Sequence, residues 1–221
     1  MRGLLKKYRH IWVVSYLLIY MPWFGYLQSR RVGQYHIMHS FLDNYIPFDE
    51  YFIVFYLMWF LFIFAAFVYF FFTDVQGFYR LTGFLFLGMT VSLIIYTIYP
   101  TGQNLRPEVF SDDNVFVTIV QIMYQIDPPI NVMPSIHVYN TLGACIAVAH
   151  SDTLRANHRW AQIVTYILGT LIILSTLFLK QHSIVDVAAA FLMAGAAFLL
   201  FYHPFLKKFD QAPNQPAGRL S

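Results

Sequence analysis

Charge is scarce in this chain: of 221 residues only 11% are Asp, Glu, Lys or Arg, less than half the roughly 25% of an ordinary soluble domain. That deficit excludes a water-soluble globule. Cysteine is nearly absent. The single Cys145 lies in an apolar stretch, so no intramolecular disulfide is available and the count carries no information on redox compartment. Charge of one sign is missing too. The net charge is +3, and the basic residues form short clusters at the chain ends and in turns, which argues against nucleic acid as a partner. There is no internal repeat, low-complexity tract or interior linker, so residues 1–208 read as one domain. What the chain does have is apolar surface, 58% hydrophobic and 19% aromatic residues gathered in long stretches. The fold class expected is therefore all-α, a polytopic membrane protein.

Six segments are apolar enough to cross a bilayer: Ile11 to Leu27, Tyr51 to Phe72, Leu81 to Tyr99, Pro134 to His150, Trp160 to Leu179 and Ile184 to Tyr202. Each approaches the roughly 20 residues a hydrocarbon core requires. The first follows Arg2, Lys6, Lys7 and Arg9 but lacks a small-residue cleavage site, and reads as a retained helix. If six spans alternate across the membrane, ten of the 14 Lys and Arg fall on one face. The four on the other are Arg30, Arg31, Arg106 and Lys180. Positive charge favours the cytoplasm, so both termini are expected there, with the loops Gln28 to Glu50, Pro100 to Met133 and Lys180 to Ser183 outside. Val115 to Gln125 is apolar but too short to span, and suggests a helix lying in the interface. The tail, residues 209–221, with two prolines and few apolar residues, reads as disordered.

Ionisable groups at membrane depth are costly and usually face a cavity, which makes three clusters informative. They are Gly102-Gln103-Asn104-Leu105-Arg106-Pro107, Pro134-Ser135-Ile136-His137, and Lys180-Gln181-His182-Ser183-Ile184-Val185-Asp186. All three fall on the expected outer face. His182 and Asp186 are four apart where a helix should begin, so the carboxylate can accept a proton from one imidazole nitrogen and leave the other free as nucleophile or base. Read more plainly, the same string is a Ser183 cap with a polar pair at the interface. Pro134 suits a first helical turn, and Ser135 beside the helix-end donors suits an anion such as phosphate. His137 would then lie close enough to act as a general acid. The bland alternative is an interfacial histidine bonded to a loop carbonyl. Arg106 could bind phosphate in a bidentate manner or be an ordinary surface arginine. Together the three clusters supply nucleophile, orienting carboxylate, acid and electrophile for phosphoryl transfer.

At these residues the sequence resembles the type 2 phosphatidic acid phosphatase superfamily, whose motifs are K-x6-R-P, P-S-x-H and S-R-x5-H-x3-D. The second is intact at Pro134, Ser135, Ile136 and His137. The first survives as Arg106-Pro107, with Tyr99 in the lysine position. The third keeps Ser175, His182 and Asp186, with Thr176 replacing its arginine. The resemblance implies a six-helix membrane enzyme in which His182 forms a phosphohistidine, Asp186 orients it and His137 protonates the departing oxygen. Arg106, Ser135, Lys180, Tyr99 and Gln103 are the candidates for holding phosphate. No metal or cofactor is expected.

Two cations of the family pattern are gone. A phosphomonoester carries nearly two charges at neutral pH and a diester one, so the loss favours a diester, as in the related inositol phosphorylceramide and sphingomyelin synthases. Lys180, two residues before His182, would reverse that preference if it pointed inward. The function expected is thus a lipid phosphatase or phosphotransferase at the outer membrane face, acting on a membrane lipid. The alternatives are a polyprenyl pyrophosphate phosphatase and, from another class, a non-catalytic lipid-binding or transport protein. A short chain with compact loops reads as bacterial, which would make the site the plasma membrane.

Overall fold

A computed structural model describes residues 8–110 and 112–202 of the chain. The tail 209–221 and the basic residues Arg2, Lys6, Lys7, Lys207, Lys208 and Arg219 lie outside the described residues. Among those described, a 3-10 stretch Arg9–Tyr16 runs into α1 (Leu17–Ser29). Then come α2 (Ile53–Thr73), α3 (Val75–Ile98), α4 (Val115–Ile126), α5 (Ile136–Ala149), α6 (Asp152–Asn157), α7 (Arg159–Phe178) and α8 (Ile184–Phe201). The runs that the sequence marks as apolar are helical because a helix pairs its own backbone groups, the main requirement for a chain in hydrocarbon. Their starts are cut by polar caps: Asp74 accepts from Gly77 N, Asn114 from Phe116 and Val117 N, Ser135 from Val138 N and Ser151 from Leu154 N.

Among the described residues, five helices are long and apolar enough to cross a membrane: Arg9–Ser29, Glu50–Thr73, Val75–Ile98, Arg159–Phe178 and Ile184–Phe201. The sixth expected span, Pro134 to His150, differs. Its helix α5 has 14 residues, a rise of about 21 Å at 1.5 Å per residue. The shortfall has a local cause. Pro134 and Ser135 stay outside the helix so that Ser135 can cap it, and α5 is flanked by protein, packing on α2, α3, α7 and α8.

The α3–α5 crossing is closely packed. Tyr139 of α5 stacks on Phe84 of α3 with centroids 4.8 Å apart and donates its hydroxyl to the Phe84 carbonyl at 2.8 Å. Gly88 makes this approach possible, because a Cβ there would lie 2.0 Å from the Tyr139 ring. At the helix ends where the three sequence clusters meet, a short parallel pair joins β1 (His36–Ile37) to β2 (Thr101–Gly102). Gly102 also bridges to Ile130, which draws the loops before α2, α4 and α5 together.

Gly88→Ala should therefore cost about 1–3 kcal/mol, the usual range for overpacking a filled core. Thermal unfolding in detergent checks this, and an unchanged midpoint would show that the crossing tolerates the extra carbon.

Candidate active site

Residue His182 lies just before α8 and is 8% exposed, while Asp186, in the first turn, is fully buried. Their side chains meet as the spacing predicts, with His182 Nδ1 3.3 Å from Asp186 Oδ2. The same carboxylate oxygen accepts the Ser183 N–H at 2.9 Å, forming a capping box. The cap and the imidazole contact thus share one oxygen. The remaining oxygen, Oδ1, is buried without a partner among the described residues.

From the first turn of α5, His137 faces this pair, with ring centroids 5.9 Å apart. It is packed between Trp59, at 4.5 Å, and Tyr56, at 4.9 Å, both from α2. The Trp59 indole donates to the His137 carbonyl at 3.1 Å, tying α2 to the start of α5. Ser135 is buried and caps α5, and its N–H donates to the Asp186 carbonyl at 3.3 Å. That contact joins the P-S-x-H segment to α8 through the backbone.

The guanidinium of Arg106 donates to the Tyr124 carbonyl at 3.0 Å and, at 2.5 Å each, to the Asp127 carbonyl and Gln181 Oε1. It also lies over the Tyr124 ring at 4.1 Å. These acceptors are neutral, so the positive charge is held against Gln181 without a carboxylate within ion-pair reach among the described residues. Burial lowers the Arg106 pKa, against a smaller upward pull from Tyr124 and Asp127, but a guanidinium stays protonated throughout. Its Nε–H is buried and unpartnered among the described residues.

Other candidates lie elsewhere. Lys180 turns away from His182, donating its ammonium to the carbonyls of Asp43 and Ile46 and lining a separate hollow with His39, Asn44 and Asn104. Burial lowers its pKa and nearby Asp43 partly restores it. Tyr99 is 41% exposed and stacks on His36 at 3.9 Å. Gln103 shapes the loops, donating to the Lys180 carbonyl at 2.8 Å and accepting from Leu105 N at 2.6 Å. Ser175 bonds back to Ile172 within α7. Thr176 is fully buried, and its carbonyl accepts the N–H groups of both Gln181 and His182.

Both histidines open onto a cavity of about 710 Å³ bounded by α1, α2, α3 and α4. Its walls are mainly apolar and aromatic, including Phe24, Phe60, Met89 and Ile122. Among the described lining residues there is no lysine or arginine, and Asp127 is the carboxylate. Asp127 accepts the Tyr56 hydroxyl at 2.7 Å. Tyr56, Trp59 and Asp127 went unmarked in the sequence. The two aromatics sit inside a uniformly apolar run, and Asp127 is one carboxylate among several in its loop.

Replacing Arg106 by Gln disrupts three hydrogen bonds at once and should destabilise the fold by more than the roughly 1.5–3 kcal/mol of one bond to a charged group. A lowered thermal midpoint would show it, whereas an unmoved midpoint would mean that the guanidinium is free of these carbonyls. Compared with family models, with curated proteins and with solved structures, the chain matches none.

Proposed function

We propose that this chain is an integral membrane phosphotransferase or phosphatase that acts on a lipid phosphate ester through a phosphohistidine on His182. The observation that carries this reading is the His182–Asp186 pair set against His137 on the wall of a largely apolar cavity. A lipid suits such a space because its hydrocarbon part can occupy the apolar region while its phosphate reaches the histidines.

With Nδ1 engaged by Asp186, the Nε2 lone pair of His182 attacks phosphorus. The bond from phosphorus to the leaving oxygen breaks, and that oxygen takes a proton from His137. An acceptor hydroxyl or water then attacks the phosphohistidine, passes its proton to His137 and frees His182. Arg106, through its uncommitted Nε–H and its charge, and the backbone N–H groups opening α5 stabilise the phosphoryl oxygens. The outer-face site and the six-span plan belong to the same proposal.

Charge supports a phosphodiester as substrate. The Lys180 ammonium is bonded to loop carbonyls and Thr176 stands in for an arginine. Arg106, which donates to Gln181 one residue before His182, is then the cation left to the proposed site. One positive charge balances the single charge of a diester better than the near-double charge of a monoester.

The test compares detergent-solubilised wild type with His182→Ala on phosphatidic acid and phosphatidylinositol, scoring inorganic phosphate and diacylglycerol. His182-dependent diacylglycerol from the diester, without free phosphate, is expected. His182-dependent phosphate from the monoester would overturn the diester assignment, and full turnover by the Ala variant would remove the nucleophile.

A further inference from the structure

We propose that Asp43, in the loop before α2, is a positioning residue for the His182–Asp186 pair and acts through Ser183, an inference that rests on the phosphohistidine reading above. The case begins with the first N–H groups of α8, which no intrahelical carbonyl can satisfy. Ser183 N donates to Asp186 Oδ2, Ile184 N donates to Asp43 Oδ1 at 2.9 Å, and Val185 N donates to Ser183 Oγ at 3.2 Å. The Ser183 hydroxyl gives its own proton to Asp43 Oδ2 at 2.6 Å. Asp43 thus satisfies one backbone donor itself and fixes the hydroxyl that satisfies another.

The residue is built for this contact. Asp43 is 2% exposed, and its Oδ2 also accepts Ser40 N at 2.7 Å in a capping box of its own. The loop that carries it is fastened to the same segment by Lys180, whose ammonium bonds the carbonyls of Asp43 and Ile46. Lys180 itself adopts a left-handed backbone, φ 52°, which turns the chain between α7 and α8. A buried carboxylate at a helix N-terminus is favoured by the aligned peptide dipoles, so the arrangement supports itself electrostatically.

Removing the Asp43 carboxylate leaves two donors at the start of α8 without an acceptor. The carboxylate that remains there is Asp186, whose Oδ2 already serves Ser183 N and His182 Nδ1. Its Oδ1 is without a partner among the described residues, and rotation of the carboxylate to offer that oxygen to the orphaned donors would loosen the imidazole. Asp43 therefore keeps Asp186 available to His182 without touching the histidine or the substrate.

The experiment uses the full chain in detergent micelles with 15N-labelled histidine, assigning the His182 signal by its loss in His182→Ala. Asp43→Asn should reduce the Nδ1–H tautomer of His182 and lower kcat by about 10–100-fold, the scale of a small misplacement of a reacting group, with KM within about twofold. Ser183→Ala, which removes the hydroxyl bridge to Asp43 together with the acceptor of Val185 N, should do the same in smaller measure and carries the test if Asp43→Asn does not fold. The double variant should be no worse than Asp43→Asn alone. A folded Asp43→Asn or Ser183→Ala protein with an unchanged tautomer would overturn the proposal, as would additive losses. The tautomer needs no turnover to be read, so activity retained by His182→Ala would sink the phosphohistidine reading separately.

Discussion

One carboxylate oxygen, Asp186 Oδ2, meets two demands: it caps the helix that carries it, through Ser183 N, and it holds His182 by Nδ1. Both demands arise from the same constraint. A helix that starts inside a low-dielectric environment must find partners for its first N–H groups, and an imidazole that is to present one nitrogen must have the other engaged. Satisfying both with a single buried group makes the imidazole orientation a by-product of helix initiation. The surrounding loops follow from this: Ser135 N reaches the Asp186 carbonyl, and Gln181, one residue before His182, receives Arg106.

The cavity depends on a second feature, the crowding of α5 by its neighbours. Because Gly88 lets α3 and α5 close on each other, α1 and α4 line a space beside them that no side chain fills. His137 reaches that space from the first turn of α5, steadied by two aromatic rings of α2. The apolar walls and the polar histidine wall come from different elements, so the size of the space and the chemistry at its edge can vary independently.

Much of this was legible in the chain. Apolar runs located the long helices, since hydrogen-bond satisfaction in hydrocarbon leaves few alternatives, and the His182-x-x-x-Asp186 spacing foretold the pair. The length of α5 was not legible, because residues shielded by other helices can be apolar without forming one continuous span. Nor could periodicity say which way Lys180 points: a side chain with four rotatable bonds is directed by its acceptors, and these belong to a loop more than 130 residues away. Ser40 with Asp43 and Ser183 with Asp186 each form a capping box within a few residues. That the two interlock through Ser183 and Asp43 emerges only from the tertiary fold.

The shortness of α5 has a consequence for the bilayer. If α5 spans as the proposal has it, a helix of about 21 Å in hydrocarbon about 30 Å thick leaves at least one of its ends below the level at which headgroups rest. Were that the end that carries His137, the histidine would be sunk beneath the interface. Under the proposed reading, a lipid must lower its phosphate or the membrane must thin around the protein. Either adjustment grows with acyl length, so the thickness of the host membrane, as much as the identity of the headgroup, governs which lipids are within reach.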